Sequence, residues 1–90
     1  MTAPPPHFTW LRGGEAQVSS LDGDRITVLS TTPSAPGSRP EGALASGAAV
    51  RVKVARCRRT EDRFLIEGRL LDATRETRAE IQHLLDPPVG

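Results

Sequence analysis

Glu15-Ala16-Gln17-Val18-Ser19-Ser20-Leu21-Asp22-Gly23-Asp24-Arg25-Ile26-Thr27-Val28-Leu29-Ser30 reads as two strands folded back on one another. Arg25 to Ser30 is enriched in β-branched residues and bounded by turn formers. Asp22-Gly23 is a favoured hairpin pair, because glycine accepts positive φ without a Cβ clash. Further along, Val50, Val52 and Val54 alternate with Arg51 and Lys53, giving one buried and one wet face. The phase slips after Val54, since Cys57 is the next inward residue, and a β-bulge near Ala55-Arg56 reconciles the two halves. A polar turn from Arg58 to Asp62 then leads into Arg63 to Leu71, with Phe64, Ile66, Gly68 and Leu70 on one face.

The ends are of different character. The first seven residues are proline-rich and cannot join a sheet as a regular strand, because proline lacks the ladder N–H. Phe8 and Trp10 share a parity, which suits a short strand or a flap on a barrel. Thr31 to Pro40 is a loop, and Glu41 to Leu44 a short strand at an edge blunted by Pro33, Pro36 and Pro40. Thr74 or Asp72 caps a final helix that carries Thr77, Ile81, Leu84 and Leu85 on one stripe, leaving Arg75, Arg78 and Gln82 in water. Asp86-Pro87-Pro88 stops it. The fold expected is mainly β, a small antiparallel barrel of five to six strands with one C-terminal α-helix. Residues 1–13 are expected to be a flexible segment, 14–86 the barrel plus helix, and 87–90 a tail.

Ninety residues make one domain, and with two Phe, one Trp and no Tyr its core must rest on aliphatic side chains. A net charge of +1 argues against a dedicated nucleic-acid binder. Cys57 stands alone, so no intrachain disulfide forms, and a reducing cytoplasm is the expected compartment. No apolar run has the length of a membrane span, and insertion is not expected.

Strand order, the C-terminal helix and the phrase Gly14 to Gly23 together resemble a PilZ domain, the small β-barrel family known for cyclic di-GMP receptors. The likeness spans roughly Gly14 to Leu85, and Pro36-Gly37 and Ile66-Glu67-Gly68-Arg69-Leu70 are similar to the family's later strands. It implies a bacterial signalling role, in motility, surface polysaccharide or cell polarity. It also implies a nucleotide site at Arg12, Ser20 and Gly23. Two departures weaken that site. The acidic or amide position of the family's Asp/Asn-x-Ser-x-x-Gly motif is Val18, and Arg12 alone stands for its Arg-x-x-x-Arg motif. Each lost charge-assisted hydrogen bond is worth roughly 1.5–3 kcal/mol. Micromolar binding totals only about 8 kcal/mol, so cyclic di-GMP binding at the usual site is expected to be weak or lost.

The remaining chemistry is sparse. Arg51, Lys53, Arg56, Arg58, Arg59 and Arg63 form a basic hairpin suited to an anionic partner, a nucleotide phosphate or RNA, although no aromatic is interleaved to stack bases. His7, His83 and Cys57 have no metal-ligand spacing, and Asp22 and Asp24 are too few for a calcium loop. No nucleophile–base pair is discernible, so no enzyme and no cofactor are expected. The reading is a non-enzymatic adaptor that binds another protein through Phe8, Trp10, the edge from Gly37 to Leu44 and the helix. A cyclic di-GMP receptor using Arg12, Ser20, Gly23 and other arginines is the first alternative, and an SH3-like RNA-binding barrel the second. A homodimer through the helix stripe is a further pairing.

Overall fold

The computed structural model describes residues 7–85. Six strands and a helix follow in order: β1 (Phe8–Trp10), β2 (Glu15–Asp22), β3 (Arg25–Ser30), β4 (Glu41–Leu44), β5 (Ala49–Arg59), β6 (Phe64–Leu70) and α1 (Arg75–Leu85). They close as an antiparallel barrel in the order β1-β2-β3-β6-β5-β4, with β4 pairing back to β1. The expected fold class is found. Its boundary is not, because the barrel starts at Phe8 and takes in residues assigned to a flexible segment. The proposed stop at Asp86-Pro87-Pro88 and the outer parts of both tails lie outside the described residues.

Alternation explains the interior. Ala16 and Val18, Ile26 and Val28, Val50, Val52 and Val54, and Ile66 and Leu70 are all buried, each on the inward phase of its strand. In the β5–β6 ladder Val54 faces Gly68 and Arg56 faces Glu67, so Ala55 is the extra residue of a bulge where the phase slip required one. Opposite it, a Cβ on Gly68 would lie 2.5 Å from the Lys53 carbonyl oxygen, so only glycine lets β5 come this close. A second register shift falls between Val18 and Ser20 in the β2–β3 ladder. Its one sign in the sequence is that the apolar phase of Ala16 and Val18 resumes at Leu21, which packs on the core opposite Ile26. The hairpin loop is Gly23-Asp24, one residue later than the Asp22-Gly23 pair suggests, since Asp22 still faces Arg25.

β1 completes the barrel between β2 and β4. Phe8 faces Ala16 on one side and Leu44 on the other, and Trp10 faces Gly42. The two rings meet edge to face, with centroids 4.8 Å apart, and are only 2% and 3% exposed. The buried indole N–H of Trp10 donates to Ser30 Oγ at 2.9 Å. That hydroxyl donates in turn to the Thr32 carbonyl at 2.6 Å and accepts the Thr32 N–H at 3.1 Å. Every hydrogen-bonding position of this core serine is used.

The helix covers one end of the barrel. Thr74 is the cap, its Oγ1 accepting the Thr77 N–H at 3.1 Å, while Asp72 takes φ +52° in the preceding turn. Ile81 is fully buried against the core. Arg78, expected in water, is half-buried and reaches Asp24 Oδ1 at 2.7 Å. The Ser46 hydroxyl donates to the Glu80 carboxylate, 2.8 and 2.9 Å from its two oxygens.

We predict that Ser30→Ala lowers stability by about 1–3 kcal/mol, because the Trp10 N–H loses its acceptor inside the core. Urea unfolding followed by Trp10 fluorescence measures it, and a midpoint equal to wild type would refute the role given to Ser30. Gly68→Ala is expected to destabilise by about 1–3 kcal/mol through overpacking at the bulge. Urea unfolding measures this too, and a midpoint equal to wild type would remove the steric argument.

Candidate functional site

Antiparallel pairing sorts the loops onto two ends. Residues 11–14, 31–40 and 60–63 lie at one end; Gly23-Asp24, the β4–β5 turn and α1 lie at the other. Arg12 and Gly23 are therefore separated by the length of β2, about 25 Å. Arg12 is also engaged: its guanidinium donates to the Pro33 carbonyl at 2.6 Å and to the hydroxyl of buried Ser34, tying two loops together. Ser20 is exposed on β2 opposite Thr27, and Gly23 sits in the hairpin loop. The three residues implied by the family resemblance are not brought to one place.

Of the residues nominated for a partner, Phe8, Trp10 and Leu44 are in the core. The edge expected between Gly37 and Leu44 is not open. β4 has a neighbour on each side, and Gly37 donates its exposed loop's N–H to the Val54 carbonyl at 2.7 Å. That loop continues the cover of β5, with Val54 N–H donating to Ser38 at 2.9 Å and Val52 N–H to Pro40 at 3.1 Å. The cover ends at Val54. From Ala55 to Arg59, β5 pairs with β6 on one side and, among the described residues, has no backbone partner on the other. Arg56, Arg58 and Arg59 are exposed along this stretch, and Cys57 is half-buried against the core. The helix stripe is largely used as well, leaving Leu84 as its exposed apolar residue.

The basic hairpin splits into distinct parts. Arg51 belongs to an ion pair, its Nε and Nη2 donating to Glu41 Oε1 at 3.1 and 2.8 Å. This hydrogen bond and the charge behind it raise the Arg51 pKa. Arg56 Nε lies 3.9 Å from Glu67 Oε2. Lys53 instead joins a row across the outer face of the sheet: Arg25 on β3 faces Arg69 on β6, and Arg69 faces Lys53 on β5. The next row runs Ser20, Thr27, Glu67 and Arg56. A cleft of about 550 Å³ opens between the rows at the Ala55 bulge, lined by Arg25, Thr27, Lys53, Ala55, Glu67 and Arg69. Arg25 and Arg69 escape a reading of the sequence. Both stand on the outward phase of their strands, yet only the register shows that they meet.

Other chemistry is structural. His7 Nδ1 accepts the Val18 N–H at 2.9 Å, and among the described residues no three acidic, histidine or cysteine side chains gather as a metal site. Among those residues no helix is long and apolar enough to cross a membrane.

Compared with protein families, curated proteins and solved structures, the chain matches none.

Proposed function

We propose that this chain is a non-enzymatic, PilZ-like signalling adaptor. It recruits a partner protein by adding an acidic, extended segment of that protein to the open edge of β5. The observation that carries this reading is the stretch Ala55–Arg59, where the strand outruns its cover while presenting Arg56, Arg58 and Arg59 to solvent. Strand addition of this kind draws affinity from main-chain hydrogen bonds and selectivity from alternate side chains. Arginines on an edge also oppose pairing between copies of the same chain. A strand guarded in this way admits an acidic partner more readily than itself.

The separation of Arg12 from Ser20 and Gly23 favours the adaptor over a cyclic di-GMP receptor built on those residues. The placement of Phe8 and Trp10 inside the barrel weighs against an RNA-binding surface, which would need exposed rings for base stacking.

Titrating the labelled chain with an acidic, strand-forming peptide is expected to shift the amides of Ala55 to Arg59 with a Kd on the order of 10–100 μM. The Arg58→Glu, Arg59→Glu double variant should weaken binding about tenfold or more. Shifts spread evenly over every basic face, with affinity unchanged in that variant, would reject the edge as the site. Micromolar cyclic di-GMP binding abolished by Arg12→Ala would restore the receptor reading.

A further inference from the structure

Most facing charges on this barrel follow one rule, and one row breaks it. Glu41 and Arg51 pair across β4 and β5, and Arg56 and Glu67 across β5 and β6, opposite charge facing opposite charge. Like charges directly opposite one another destabilise a sheet. Arg25, Arg69 and Lys53 nevertheless stand in one line over three adjacent strands, and Arg69 has a cation on each side. Among the described residues no ion pair or hydrogen bond engages any of the three head groups. Asp22 ends the row beyond Arg25 without an ion pair to it, and Asp24 is held by Arg78. Asp22 and Asp24 do line a shallow cleft with Arg25 and Arg69, yet neither carboxylate is within ion-pair distance of a head group of the row.

We propose that this row is a binding site for a small oligophosphate, a linear molecule carrying two or three linked phosphoryl groups. Strand spacing sets the Cα positions of the three residues about 5 Å apart, over roughly 10 Å, and a row of cations on that scale suits a line of negative charge better than one phosphate. The cleft of about 550 Å³ beside the row falls in the range of small-molecule sites. The Thr27 hydroxyl within it can donate to a phosphoryl oxygen. Glu67, already facing Arg56, is an acceptor for a hydroxyl or amine on whatever the phosphates are attached to. Guanidinium groups bind phosphate oxygens in a planar, two-pronged manner, which gives Arg25 and Arg69 the principal roles. The site meets the open edge of β5 at Ala55 but uses none of its arginines, and it does not rest on the adaptor reading.

Calorimetry on the full chain at low ionic strength, with inorganic tripolyphosphate, orthophosphate and ATP, tests the assignment. Tripolyphosphate is expected to bind clearly more tightly than orthophosphate. Tighter binding of ATP would identify a nucleoside oligophosphate as the source, and equal or weaker binding an inorganic one. Arg69→Gln should weaken tripolyphosphate about tenfold or more, whereas Arg39→Gln, which removes the same charge from an exposed loop outside the row, should not. Its melting temperature without ligand should hold or rise, since a repulsive neighbour has gone. Should that variant fail to fold, Lys53→Gln makes the same test. No binding of tripolyphosphate, or equal weakening by Arg39→Gln and Arg69→Gln, would overturn the proposal.

Discussion

A strand of three residues, Phe8–Trp10, closes the barrel, and the rest of the structure depends on its being held. Two residue pairs with β2 and three with β4 are a weak hold for so short a segment. Its side chains supply the remainder. Phe8 and Trp10 are the largest rings in the core, and the indole N–H reaches across to Ser30 on β3. Close approach matters too, because a Cβ on Gly42 would lie 2.7 Å from the Thr9 carbonyl oxygen. Without β1, the β2–β3–β6–β5 sheet would keep its ladders but lose the strand that joins its free side to β4.

Closure has consequences for where the molecule can act. The aromatic residues that would be natural anchors for a partner are consumed as core. Arg12, the one cation near the N-terminus, straps the 11–14 loop to the 31–40 loop. The helix is pinned over one end through Arg78 and Glu80, with Ile81 as its apolar plug. What stays available is the outer face of β3–β6–β5 and the far part of β5. Both are shaped by the Ala55 bulge, which bends the strand and opens the cleft beside it. The two proposed surfaces thus trace to one structural irregularity.

Charges on the barrel divide by neighbour rather than by residue type. Arg51 and Arg78 are structural because Glu41 and Asp24 meet them at hydrogen-bonding distance. Arg25 and Arg69 carry the same group but have only cations, or an unengaged Asp22, beside them. Contributions of exposed ion pairs to stability are small in either case. Their informative aspect is the contrast in arrangement, which sets three unpaired cations along one cleft.

Local patterns in the sequence determined the strands of the β2–β3 hairpin, the alternation and bulge of β5, the return of β6 and the Thr74 cap. Each follows from side-chain period or backbone preference acting over a few residues. The shift at Ser19 is marked only by Leu21, the single apolar residue after it on β2, and β1 is ambiguous because three residues are too few to define a period. Only the tertiary structure decided that Phe8 and Trp10 face inward, that the open edge lies at Ala55–Arg59, and that Arg25, Arg69 and Lys53 stand in line. Those outcomes depend on register between segments distant in the chain. A shift of one residue in any ladder would send each of these side chains to the opposite face.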